Sequence, residues 1–503
     1  MGTLPLLEIV LFISILMGIV YLKRKQALAS LPPGPPAHPI VGHLFKMPQD
    51  VNSGFYFAEL GNKYGDVSCM RVPGRTMVIL NSMRAAVDLL EKRSRNYGAR
   101  PLSDVFVLMG WGNNVAFTPA GKRVQRHRRM LNEYLAREKC LSYYPSQERE
   151  ARKLVRNFAK DPERFDDHLN VFSTGIVVRI AYGHDIDREN PSDDVYFKMA
   201  ADASWCNTHC AAPGSNLVDL IPIMKYLPSW FPGTYPATQA RSYRPIIDLL
   251  HDYPFADIGK QLDEGVARDS YLLTHIEGMR RQDAGYLYTV EDIKGTASAI
   301  IGAGADTTWS TTATFLLAML LYPDVQKKAH EEIDSVVEEH RLPTFSDRPD
   351  LPYIDCIVNE TYRWYNAAPT GLPHQSLEDD VYQGMFIPKG SVIIPNTRGI
   401  TLDETVYERP RVFDPERYLR GEPQPVAQFG FGRRICPGQH LADASIWIAI
   451  ASILAAFEIL PANDSKGAPM VPDEDFKYGI TSHPKPYKCV IRPRNDRWRV
   501  SVE

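Results

Sequence analysis

Cys436 stands in Phe429-Gly430-Phe431-Gly432-Arg433-Arg434-Ile435-Cys436-Pro437-Gly438, just ahead of an apolar helical run that starts near His440. Three glycines free the backbone to turn tightly beside a flat ligand, and two arginines supply fixed positive charge. This places a thiol at a helix start, where the helix N-terminus and nearby backbone N–H groups are expected to stabilise the thiolate and lower its pKa. A single protein thiolate suits haem iron, because the porphyrin fills the other positions. The alternative is a buried structural cysteine, the ordinary state of a lone Cys.

Other chemistry-bearing residues are spread along the chain. Residues 299 to 312, Ala-Ile-Ile-Gly-Ala-Gly-Ala-Asp-Thr-Thr-Trp-Ser-Thr-Thr, fall in a long helical pattern. Gly302 and Gly304 weaken that helix and Thr307 can compete for a backbone carbonyl, so a local opening or bend is expected, although small residues more often serve helix packing. Residues 122 to 129 carry five Lys or Arg, most simply a solvated face. Glu360 and Arg363 lie three apart on one helix face. Cys206-Asn207-Thr208-His209-Cys210 is a weak metal or haem-attachment candidate, since attachment requires His after the second Cys and here His209 precedes it.

The loop around Cys436 resembles the haem-binding signature of the cytochrome P450 superfamily, Phe-Gly-x-Gly-x-Arg-x-Cys-x-Gly, with every fixed position present. The resemblance continues in order. Ala303 to Thr308 matches the family's oxygen-activation motif, which implies that Thr307 hydrogen-bonds oxygen at the iron and orders water, while Asp306 helps relay protons from solvent. It also implies Arg128, His374 and Arg434 as partners of the haem propionates. Arg128 falls in a stretch similar to the family's Trp-x-x-x-Arg helix, but Val124 occupies the Trp position and removes an indole donor. Glu360, Arg363 and Arg417 correspond to a buried structural charge network, Arg417 lying in Phe413-Asp414-Pro415-Glu416-Arg417-Tyr418. Leu372 would face substrate, as would a turn at Lys477-Tyr-Gly-Ile480.

These residues need elements to position them, and the chain is long enough. At 503 residues and 44% hydrophobic it can bury a large core, and no obvious linker divides it. A net charge of -3 gives no sign of nucleic-acid binding, and seven scattered cysteines suit a reducing compartment better than a secreted disulfide framework. Leu4 to Leu22 is nearly continuous apolar sequence followed by Lys23-Arg24-Lys25. It reads as a membrane anchor with everything after it cytosolic, because the charges follow the apolar run instead of preceding it as in a cleaved signal. Leu31 to Pro39 is a proline-rich hinge. The expected organisation is an anchor with basic stop over 1–25, a hinge over 26–40 and a catalytic domain over 41–503. Met70 to Leu80, broken at Pro73-Gly74-Arg75, reads as a hairpin, and helical periodicity marks 82–93, 122–135, 168–182, 291–320, 325–340 and 440–457. Leu217 to Gly233 mixes apolar bulk with three prolines, so it either packs as a loop or dips Trp230 and Phe231 into a membrane surface.

The resemblance therefore implies a mainly α fold with small β-sheets, one large domain enclosing haem b between the 291–320 and 440–457 helices. It implies a monooxygenase that takes O2 as co-substrate and electrons from a separate NADPH-cytochrome P450 reductase, with cytochrome b5 as a further partner. Arg126, Arg129 and Arg433 are candidates for the docking face. The endoplasmic reticulum membrane is the implied location. The hinge and Val218-Asp-Leu-Ile-Pro222 are most similar to fungal members from specialised metabolism, which points to biosynthetic oxidation of a lipophilic small molecule such as a terpenoid or polyketide. A xenobiotic-detoxifying enzyme is the alternative. A haem-thiolate isomerase or dehydratase commonly disrupts the oxygen-activation threonine, and a haem carrier needs neither the proton relay nor an anchor.

Overall fold

Thirty-two residues, Val290–Leu321, form one unbroken helix whose buried side chains lie on all its faces, a pattern that belongs at the centre of a core. Its start is fixed by a capping box. Asp292 N–H donates to Thr289 Oγ1 at 3.1 Å and Thr289 N–H returns to Asp292 Oδ2 at 3.2 Å. The computed structural model describes residues 31–47, 53–186, 190–209, 216–281, 286–477, 479–494 and 496. The expected membrane anchor, Leu4 to Leu22, lies outside the described residues, as do Cys210 and Tyr478.

The helices that matter for the site are α1 Lys122–Leu135, α2 Tyr144–Lys160, α3 Phe165–Tyr182, α4 Val195–His209, α5 Tyr235–Asp263, α6 Val290–Leu321, α7 Pro352–Trp364 and α8 Gln439–Ala456. The strands are β1 Val67–Val72, β2 Arg75–Leu80, β3 His374–Gln375, β4 Val392–Pro395, β5 Phe457–Asn463, β6 Phe476–Lys477, β7 His483–Pro484 and β8 Cys489–Pro493. α8 alone among the described helices is long and apolar enough to cross a membrane, yet most of it is buried against the rest of the fold, so its hydropathy reflects the core. α3 lies close against α6 at the glycine motif: a Cβ on Gly304 would stand 2.7 Å from Val177 Cγ1. The expected local opening of α6 is not seen; the helix stays continuous, and its glycines permit close packing.

The hairpin β1–β2 is antiparallel, β2 pairs parallel with β4, and β3 closes the sheet antiparallel to β4 with His374 opposite Ile393. This register buries His374. Residues 31–39 run along the sheet edge: Cys69 N–H donates to Pro33 O at 2.8 Å, and a Cβ on Gly34 would fall 2.0 Å from Cys69 O. β6 and β7 form a small hairpin near the C-terminus with His483 opposite Lys477. The six described cysteines are all free. Cys206 is buried, while His209 turns back to stack on Trp205, so the two do not converge as metal ligands.

Candidate functional site

Two short turns, Ala427–Phe429 and Gly432–Arg434, carry the chain into Cys436. Gly432 has φ 53°, and a Cβ there would meet Leu90 O at 2.2 Å, so both the backbone angle and the neighbouring chain require glycine. Cys436 N–H donates to Phe429 O at 2.7 Å and closes the loop, and α8 begins three residues later. Burial pushes the Cys436 thiol up; the Gly438 N–H and the Arg128 charge pull it down without prevailing. This corrects the expected net depression of its pKa. Desolvation outweighs the helix start until a metal takes the sulfur, and coordination deprotonates a thiol outright.

Around this loop the fold gathers guanidinium groups. Arg128, from α1, donates through Nη1 to Ile435 O at 2.9 Å, one residue from the cysteine. Arg434 donates to Gly98 O at 2.8 Å, Val115 O at 3.1 Å and Thr118 O at 3.0 Å. Arg100 donates through Nη1 to Leu372 O at 2.7 Å and Pro373 O at 2.9 Å, and its buried Nε has no partner. Their hydrogen-bond partners are carbonyl oxygens, not carboxylates. Burial and then the neighbouring Arg434 and Arg128 drive Arg100 well below the usual arginine range; burial and Arg128 lower Arg434 to about 10. Such a cluster of buried like charges has an unmet demand for anions.

His374 stands in the same cluster. Its Nδ1 lies 2.8 Å from Tyr97 O, and because a carbonyl only accepts, Nδ1 carries the hydrogen. Burial, with Arg100 and Arg434 nearby, holds its pKa well below the ordinary value, so the ring is neutral and Nε2 is an acceptor. It can donate from Nε2 only once an anion favours the imidazolium. Arg128, His374 and Arg434, the residues singled out in the sequence, come together here. Arg100 is not among them, because a single arginine before Pro101 in a loop has no local signature; only the bridge between Ala99 and Gln375 of β3 brings it here.

On α6, Thr307 Oγ1 donates to Ala303 O at 2.9 Å, the back-bond its position suggested. Asp306 is buried and held from two other elements: Ser204 of α4 donates to Oδ1 at 2.6 Å and His483 Nε2 of β7 lies 3.0 Å from the same oxygen. Burial pulls its pKa upward, but His483, Ser204 and Thr481 together leave it below the usual carboxylate value. Trp111, fully buried, fills the face of Gly302, where a Cβ would be 3.2 Å from its ring, and donates to Asn207 Oδ1 at 2.8 Å. Leu372 is half-buried beside the Arg100 tie, and Ile480 packs at the edge of the main core.

Farther from the cysteine, Glu360, Arg363 and Arg417 meet with fully buried side chains. Arg363 forks onto Glu360 at 2.7 and 2.8 Å, and Arg417 reaches the same carboxylate at 3.1 Å. Glu422, absent from the sequence reading, completes the charge balance at 2.7 Å from Arg417. Of the three docking candidates, Arg126 is committed to the buried Asp292 carboxylate through Nε at 2.9 Å and Nη2 at 3.1 Å. It ties α1 to α6. Arg129 and Arg433 remain exposed. In the 217–233 loop, Asp219 is buried and bonded to Ser103 Oγ at 2.8 Å, while Ile223 (67%) and Trp230 (78%) stay in solvent.

A helical fold built on a central glycine-containing helix, with one thiol entering from a glycine-rich loop beside buried arginines, defines a haem-thiolate class of protein. The family profile of cytochrome P450 matches residues 32–491, and the chain belongs to that family. Its relatives include cytochrome P450 monooxygenase claR of Ampulloclitocybe clavipes, 36% identical with 94% of this chain and 88% of the relative covered. Cytochrome P450 monooxygenase COX2 of Coprinopsis cinerea is 37% identical, covering 94% of this chain and 90% of the relative. Tryptamine 4-monooxygenase of Psilocybe cyanescens is 34% identical, covering 98% and 99%. A zebra fish cytochrome P450 solved with progesterone shares the fold at a TM-score of 0.75 and 22% identity, covering 88% of this chain and all of that one. The chain is accordingly a haem-dependent monooxygenase that uses O2, receives electrons from a redox partner and acts on a lipophilic substrate.

Proposed function

We propose that this chain inserts one oxygen atom into a C–H bond or double bond of a lipophilic small molecule of fungal specialised metabolism, using haem b ligated by Cys436. The observation that carries the cofactor assignment is the cluster of Arg100, Arg128 and Arg434, partnered by carbonyls and set beside a single cysteine. A flat dianionic ligand whose metal meets the thiolate satisfies both features, so the donor set fits haem. Arg100, Arg128 and Arg434 would receive its two propionates through charge-assisted bonds, and His374 would join them as imidazolium.

When bound, haem supplies the O2 chemistry, with thiolate donation favouring O–O cleavage. The side chains do the rest. Thr307 donates its hydroxyl hydrogen to Ala303 O, which leaves the oxygen lone pairs to order a water. Asp306 lies next to it in sequence and holds a carboxylate in a buried setting, a suitable acceptor and donor of protons. Phe106, Trp111, Leu372 and Ile480 give the substrate side an apolar character that excludes water.

Electrons would come from NADPH-cytochrome P450 reductase, with cytochrome b5 as a second donor, and exposed Arg129 and Arg433 support a basic docking face. Leu4 to Leu22 would anchor the chain in the endoplasmic reticulum membrane. Exposure of Ile223 and Trp230 favours seating of the 217–233 loop in the same membrane surface.

The test is a reduced, carbon-monoxide-bound minus reduced spectrum of membranes holding the full chain, beside Cys436→Ser, followed by incubation with reductase, NADPH, O2 and a panel that begins with tryptamine and small terpenes. A strongly red-shifted Soret band lost in the variant, and product that requires both NADPH and O2, is the expected result. Folded, haem-loaded protein without that band would refute the ligand assignment. Product formed without reductase would refute the monooxygenase reading.

A further inference from the structure

Asp306 is buried, so a proton it gives up must be replaced through another group, and its neighbours differ in their ability to do this. Ser204 is a neutral hydroxyl on α4, whereas His483 on β7 is a titratable ring with a side chain 15% exposed, 3.0 Å from Asp306 Oδ1. The ring also leans on Trp309 of α6, with 4.5 Å between centroids, which fixes its aim. We propose that His483 is a positioning residue for the proton supply: it connects solvent to Asp306 and returns to that carboxylate each proton that Asp306 hands toward Thr307. The proposal rests on the monooxygenase reading and deepens it.

The step moves protons only. The Nε2–H bond of imidazolium His483 breaks and an O–H bond forms at Asp306 Oδ1, converting an ion pair to a neutral pair. Water at the exposed edge of the ring then reprotonates His483, and no electron is exchanged. Among the described residues the charged groups around the ring are few. Asp306 faces it from α6; Asp166 of α3 lies behind Trp309, accepting from its Nε1 at 2.8 Å; Lys477 is opposite in the β6–β7 register; and Lys485, at the hairpin end, is paired with Asp475. A purely structural role is separable, because the turn has other ties. Ser310 Oγ donates to Ser482 O and Ser482 N–H donates to Ala367 O at 2.8 Å before the ring, and Lys485 N–H donates to Asp475 O at 2.8 Å after it, so the backbone on either side is held without the side chain.

Two substitutions separate the roles. His483→Gln keeps a hydrogen-bond donor but cannot carry a proton, and His483→Arg keeps a cation that does not release one. Full-length holoenzyme in nanodiscs, checked by its carbon-monoxide spectrum, is titrated in the infrared by the neutral carboxyl band assigned with Asp306→Asn. NADPH oxidation with reductase and O2, in the absence of substrate, is then compared in H2O and D2O. The expected result is that the Asp306 band appears at higher pH in His483→Gln and not in His483→Arg. Both variants should oxidise NADPH about tenfold more slowly, with a larger solvent isotope effect. An unshifted Asp306 titration in His483→Gln, or rates and isotope effects equal to wild type in either variant, would overturn the proposal. Wild-type protein that shows no O2-dependent NADPH oxidation would overturn the monooxygenase reading itself, and the proton supply with it.

Discussion

Replacing Glu360 with Gln changes one buried atom type and leaves the shape nearly intact, so its cost reports the charge network. The Glu360 carboxylate accepts five bonds: two from Arg363, one each from Arg417 Nε, Tyr418 OH at 2.8 Å and Asp414 N–H at 2.8 Å. Two arginines are balanced there by Glu360 and Glu422. An amide offers one accepting oxygen and turns two N–H groups toward existing donors. Two buried cations then share the single carboxylate of Glu422, and breaking such a pair costs about 3–5 kcal/mol. Against a typical total of about 5–15 kcal/mol, that is a large fraction of the stability, and it lowers the haem-loaded fraction most if the total lies near the bottom of that range. The assay is the haem-loaded fraction, read from the carbon-monoxide spectrum per milligram of chain, with the guanidinium midpoint of whatever folded protein is recovered. Arg417→Met and the double variant complete a cycle, and the double should cost less than the sum of the singles because the stranded charge is removed with its partner. Glu360→Gln with wild-type haem content and midpoint would refute the argument that this network holds the fold.

Three further outcomes follow from the same geometry. Arg434→Leu removes one cation and leaves the carbonyls of Gly98, Val115 and Thr118 without that donor, so haem transfer to apomyoglobin should speed up at least tenfold. Gly432→Ala would press a Cβ onto Leu90 O at a φ that disfavours side chains, and should displace the Cys436 loop; the expected readout is loss of the red-shifted Soret band with helicity retained. Asp347 is held at about 2 by its fork with Arg341, against burial and with help from Thr344. Its folded pKa is depressed, so its contribution is complete above the unfolded value near 4 and declines as pH falls through about 2. Discounted for the exposed face of Arg341, it amounts to about 1–2 kcal/mol, and the denaturation gap between wild type and Asp347→Asn should narrow from pH 7 to pH 3.

What could be read from sequence had local causes. The Cys436 loop, the helix around Thr307, the Glu360–Arg363 spacing and the β1–β2 hairpin depend on residues near each other in the chain, and the structure brings these elements to the positions described above. The misses depend on contacts across hundreds of residues. Arg126 reads as surface charge because nothing near it is acidic, yet Asp292 lies 166 positions away in sequence and takes its fork. Arg100 acquires meaning only when β3 runs beside residue 99. His483 is an ordinary histidine in a C-terminal segment until the β6–β7 hairpin sets it 177 positions from its partner and 3.0 Å from its carboxylate. The Cys436 pKa shows the same limit in energetic form. The local Gly438 N–H at the helix start can be found along the chain, whereas the Arg128 charge and the desolvation that outweighs both are properties of the packed interior. Sequence therefore picks out the candidate groups, Cys436, Asp306 and the arginines, while the packed fold decides how strongly each holds its charge and which neighbours it meets.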